Sequence, residues 1–159
     1  MTQIRTGRRE VILAVSGGIT ILSGCLGSSS PEEEVAEIID DGDYKYGREL
    51  LTIGFENYES SDYSKAYNSA ELADDSFRDP LIEAQNGARS SDGRKEELYR
   101  LAEEHLRLAS GASNSLMQAA DERMKSNHKL ARGHYVEARN RWEESARLAG
   151  QLADELEEA

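Results

Sequence analysis

From residue 43 onward, apolar and small side chains recur three and four positions apart, the spacing of one face of an α-helix. Leu50, Ile53, Gly54 and Tyr58 begin the pattern, with Leu51 and Phe55 beside them. Tyr63, Ala66, Tyr67, Ala70, Ala73 and Phe77 form a clean stripe. Leu98, Leu101, Ala102, His105, Leu108, Ala112, Leu116 and Ala119 form a longer one, and Tyr135, Ala138, Trp142, Ala146, Ala149 and Ala153 close the set. Val and Ile are scarce and no two-residue alternation appears, so no strand is expected. Ala, Leu, Glu and Arg, all strong helix formers, dominate instead. The expected fold is all-α, with antiparallel helices over about 43–60, 62–88, 93–131 and 134–157. Breaks are signalled at Glu59-Ser60-Ser61-Asp62, at Ser90-Ser91-Asp92-Gly93 and at Gly133. The third helix would be about 58 Å long at 1.5 Å per residue, so a bend or split is expected near Ser110-Gly111.

The first 24 residues stand apart. Arg5, Arg8 and Arg9 precede an uncharged run from Val11 to Leu22. That run is too short for a membrane span, which needs roughly 20 apolar residues, and has the length of a signal-peptide core. Arg8-Arg9, followed by Glu10 and the apolar Val11-Ile12, resembles a twin-arginine export signal. Leu22-Ser23-Gly24-Cys25 resembles a lipobox, which implies that Cys25 is lipidated and becomes the new N-terminus. Cys25 is the only cysteine, so no disulfide can form within the chain, and lipidation accounts for the odd thiol. The expected organisation is a signal peptide over 1–24, a lipidated cysteine and polar tether over 25–42, and a helical domain over 43–159. The expected location is the extracytoplasmic face of the cell membrane.

Residues 1–24 hold three of the 19 basic and one of the 31 acidic residues, which leaves 16 against 30 and a net charge of −14. Such a balance argues against nucleic-acid binding, which needs clustered Lys and Arg. It also argues against peripheral attachment to anionic lipid, so the membrane contact is expected through the covalent anchor. Fourteen Arg against five Lys, with Asp and Glu in excess, resembles the composition of proteins from salt-loving archaea.

Tyr63, Tyr99 and Tyr135 lie 36 residues apart, and each begins Tyr-x-x-Ala. Together with Leu50, Ile53, Gly54, Tyr58, Ala70 and Ala73, and with Gly133, Ala138 and Trp142 in the last copy, this resembles the tetratricopeptide pattern. That resemblance implies stacked helical hairpins with a groove for a peptide or a partner helix. The other architecture consistent with the stripes is a plain up-down bundle, whose Tyr-Ala positions are core.

No catalytic constellation stands out. His105 lies on the third stripe and reads as a core or boundary histidine; His128 and His134 fall on either side of the expected turn. No His-Glu-x-x-His or Glu-x-x-His occurs, and no glycine-rich phosphate loop follows the leader. Carboxylates come in runs, as at Glu32-Glu33-Glu34 and Asp74-Asp75, which reads as a solvated face. Asp40, Asp41 and Asp43 offer a loose cation site without the distal Glu of a calcium loop. No catalytic residue, metal site or cofactor is expected. The function expected is a non-enzymatic, membrane-anchored interaction module for an envelope protein or peptide. Tyr58, Tyr63, Tyr67 and Trp142 are the candidates for its groove. The rival expectation is a solute- or metal-handling accessory, with a small pocket inside the bundle.

Overall fold

The computed structural model of the protein describes residues 30–157, and in these residues it is helical without a strand. Five helices follow one another: α1 Pro31–Asp40, α2 Gly42–Glu59, α3 Tyr63–Ser90, α4 Gly93–Met124 and α5 His128–Glu157. Consecutive long helices pack on each other from α2 to α5, and α1 lies across α4, α2 and α3. The fold is thus the all-α arrangement of antiparallel helices that the periodicity predicts.

Two turns share one design. Ser61 and Ser126 both sit in the left-handed region, at φ 66° and 63°. At the first, the Ser61 N–H donates to Tyr58 O and the Asp62 N–H to Asn57 O. At the second, Ser126 donates to Arg123 O and Asn127 to Glu122 O. Each pair is a Schellman motif, which satisfies two of the last carbonyls of the helix. Asp62 then caps α3 through the Lys65 N–H at 3.3 Å, so the chain reverses in the fewest residues.

Because the turns match, the buried positions of the two hairpins keep one register, and Ser126 follows Ser61 by 65 residues. Tyr44, Gly47, Leu51 and Gly54 of α2 stand where α4 has Ala109, Ala112, Leu116 and Ala119, all buried. Ala66, Ala73, Phe77 and Ala84 of α3 stand where α5 has Ala131, Ala138, Trp142 and Ala149. The 36-residue tyrosine spacing marks three different helices instead: Tyr63 opens α3, Tyr99 lies in α4 and Tyr135 in α5.

Alanine makes the close approach possible. Ala66, Ala70 and Ala73 of α3 and Ala102, Ala109, Ala112 and Ala119 of α4 are wholly buried. Small residues at the contact let helix axes come near the lower end of the 8–10 Å range. Larger side chains, chiefly Phe77, Leu51, Leu98, Leu106, Leu116 and Leu152, fill the remaining space.

Three boundaries differ from the expectation. The break lies at Lys125–Asn127 and not at Gly133, which falls within α5, so His128 and His134 share one helix. α4 ends at Met124 and is continuous through Gly111, giving about 48 Å for its 32 residues. Glycine costs a helix interior only about 1 kcal/mol. Here it makes room for Arg141, whose Nη1 donates to Gly111 O at 3.0 Å and to Ser115 Oγ at 3.2 Å. Third, residues 31–40 of the expected tether form α1. Ser30 and Glu33 close a capping box, Pro31 stands at the first turn, and Val35 and Ile38 are buried. Glu34 ties α1 to α4, at 2.6 Å from Lys95 and 3.0 Å from the Tyr99 hydroxyl.

Candidate functional site

The bundle has two unlike ends. The α3–α4 turn, α1 and the end of α5 share one, where Arg94 meets Glu155 at 2.6 Å. The α2–α3 and α4–α5 turns share the other, called the tip here.

At the tip the aromatic rings close on one another. Tyr58 stacks on Tyr135 with centroids 4.4 Å apart and an interplanar angle of 9°. Tyr63 meets Tyr58 edge-on at 5.3 Å, and Phe55 meets Tyr135 at 6.0 Å. Two arginines cover these rings: Arg123 lies 5.6 Å over Tyr63, and Arg139 lies 5.0 Å over Phe55. Tyr135 donates its hydroxyl to Glu59 Oε1 at 2.6 Å, and Arg139 donates to the same oxygen at 2.7 Å. Burial, and then the Glu59 carboxylate, push the Tyr135 phenol up to about 12. These contacts join α2 to α5.

The four groove candidates differ in exposure. Tyr58 and Trp142 are 7% and 8% exposed and belong to the core; Tyr63 and Tyr67 are half-buried and pack against it. Tyr58, Tyr63 and Tyr135 meet because α2, α3 and α5 carry them to the same end of the bundle. Periodicity alone does not separate a groove from a core, since both need the same helical spacing.

Midway along the bundle lies a polar relay. His105 of α4 is 1% exposed. Its Nδ1 lies 2.8 Å from Ser145 O, a carbonyl that can only accept, so the proton sits on Nδ1. Nε2 therefore accepts, and Tyr44 donates its hydroxyl to it at 2.7 Å. Ser145 Oγ completes the relay, donating to His105 O at 3.1 Å. Burial drives the His105 pKa down to about 4 and pushes the Tyr44 phenol up. The ring is neutral and joins α2, α4 and α5. With both nitrogens engaged, it has no lone pair left for a metal or a substrate proton. The sequence marks His105 as a core histidine; its partners 61 and 40 residues away carry no local signal.

Among the described residues, no group of three or more His, Cys, Asp or Glu side chains converges as metal ligands. Asp40 pairs with Lys45 at 2.5 Å, and Asp41 caps α2 through the Asp43 N–H at 2.7 Å. The Asp-Asp-Gly-Asp run is thus the joint between α1 and α2. A shallow cleft at the other end is lined by Arg94, Glu97, Leu98, Leu101, Gln151 and Glu155, and the Arg94–Glu155 ion pair spans it. No described helix is long and apolar enough to cross a membrane. Arg8, Arg9, Leu22, Ser23, Gly24 and Cys25 lie outside the described residues. Neither a family model, a curated protein nor a solved structure matches the chain.

Proposed function

We propose that this chain is a lipoprotein held at the extracytoplasmic face of the membrane through Cys25, and that its helical domain is a non-enzymatic interaction module. The order of twin arginines, short apolar core, Leu22-Ser23-Gly24-Cys25 and polar spacer is the observation that carries the reading. The fold supports it: α1 extends the packed domain back to its cap at Ser30, five residues from Cys25. Five residues reach at most about 18 Å, so an anchored domain would stand near the bilayer with its tip farthest away. The paired state of His105 favours the module over the solute- or metal-handling accessory, which would need a free ligand atom or a cavity.

Mass spectrometry of the native membrane protein tests the anchor. A diacylglyceryl adduct on an N-terminal Cys25 is the expected result, Cys25→Ser should release or strand the protein, and Arg8-Arg9 changed to Lys-Lys should block export. A bare thiol on a chain that retains its first 24 residues would overturn the reading.

A further inference from the structure

The chain is rich in acid and poor in base, so a cation without a carboxylate is its scarce feature. Among the described residues, eleven Lys and Arg side chains have a carboxylate within 4.0 Å. Arg48, Arg89, Arg123, Lys129 and Arg132 have none, and three of these five fall within ten residues at the α4–α5 turn. Of the acids nearby, Asp121 pairs with Lys125, Glu59 with Arg139 and Glu137 with Arg141, while Glu122 lies 3.8 Å from Lys125 and keeps one buried carboxylate oxygen without a hydrogen-bond partner among the described residues. Lys129 and Arg132 are exposed, whereas Arg123 is half-buried, lies over Tyr63 and is held by the Tyr58 hydroxyl and by His128.

The same stretch holds three of the seven large apolar residues left exposed among the described residues. Met124, Leu130 and Val136 are 50%, 52% and 49% exposed. Lys129, Arg132 and Val136 follow one another at i, i+3 and i+7, so they share a face of α5. Gly133 lies between them with open space above its backbone. The result is an exposed cationic and apolar strip around the turn, in which Lys129, Arg132 and Val136 share one face of α5, Leu130 stands about 100° to the side of Lys129 and Met124 ends α4.

We propose that this strip, Met124 to Val136, is the docking surface for an acidic protein segment that also carries apolar side chains, such as one face of an acidic amphipathic helix. The proposal rests on the module reading above and names its site. Unpaired guanidinium and ammonium groups recruit carboxylates and set orientation. The exposed Met, Leu and Val offer contacts to apolar side chains, which a sugar polymer or a free phosphate does not provide. A lipid surface is disfavoured by position, because the strip lies at the far end of a helix about 48 Å long from the end that leads to Cys25.

The test uses the full chain carrying Cys25→Ser and a labelled 16-residue peptide of Glu and Leu in helical spacing. The expected outcome is NMR shifts confined to residues 124–136. Lys129→Glu with Arg132→Glu should weaken binding about tenfold or more, and Leu130→Ser several-fold. Arg89→Glu, an unpaired cation at the opposite end, should leave binding unchanged. Equal loss with Arg89→Glu, shifts elsewhere, or equal binding of a Lys-Leu peptide would overturn the proposal. So would tip-dependent binding to phosphatidylglycerol vesicles, or tip-dependent self-association, without peptide binding. Peptide binding at the tip by a native lipoprotein that captures no partner in its membrane would overturn the module reading alone. A captured partner indifferent to Lys129→Glu with Arg132→Glu would overturn the tip alone.

Discussion

His105 spends both ring nitrogens inside the protein, and its pKa has a stability consequence. Its folded value of about 4 lies below the ordinary 6.5. Between these values the unfolded chain binds the proton and the folded chain does not. The stability contributed is therefore full above pH 6.5 and is lost as pH falls toward 4, by roughly 3 kcal/mol at about 1.4 kcal/mol per pKa unit. Melting temperature against pH for wild type and His105→Gln checks this: the gap between them should narrow as pH falls from 7 to 4.5, and a constant gap would refute it. Tyr44→Phe removes the donor to Nε2 and leaves a buried acceptor unpaired, at a cost of about 1–3 kcal/mol in urea unfolding. Gly87 is constrained differently. A Cβ there would stand 2.2 Å from the Tyr99 ring, which itself holds Glu34 of α1. Gly87→Ala should destabilise by about 1–3 kcal/mol through overpacking, measurable in the same unfolding experiment.

At the scale of elements, the hairpin turns are built with serine where glycine is the common choice. A non-glycine residue in the left-handed region carries roughly 1–2 kcal/mol of strain. Ser61→Gly and Ser126→Gly should each raise stability, by about 0.5–1 kcal/mol after the greater chain entropy of glycine is counted. A fall in melting temperature for either would show that the serine side chain contributes something the backbone geometry does not. These turns also explain which helix ends were readable. Glu59-Ser60-Ser61-Asp62 carries a polar cluster and a capping Asp, so its break falls where expected. Met124-Lys125-Ser126-Asn127 is the same motif, but the nearby Gly133 is the louder breaker in a string of letters. Gly111 misleads in the same way, since only the packed partner shows that Arg141 occupies the space it leaves.

The whole molecule carries its charge unevenly. A net of −14 over residues 25–159 repels itself, and salt near 1 M shortens the Debye length to about 3 Å. Melting temperature should therefore rise between about 0.1 M and about 1 M NaCl. Most ion pairs are exposed i, i+3 or i, i+4 contacts on single helices, worth little each, so their screening does not reverse the trend. A melting temperature that falls with salt would mean that the tip and inter-helix pairs outweigh the repulsion.

Read alone, the chain determined that it is helical, roughly where most of its helices lie, and most of the stripe that faces inward, although Ile53 and Ala146 of that stripe are exposed and Leu106, Leu148 and Leu152 outside it are buried. Those features depend on residues three to six apart, within reach of local backbone geometry. Only the tertiary structure decided that Tyr58, Tyr63 and Tyr135 close on one another, that His105 is satisfied by Tyr44 and Ser145, and that α1 belongs to the domain. Each of these depends on side chains brought together from dozens of residues away by the register of the two hairpins, and helical periodicity is the same whichever partner meets the stripe.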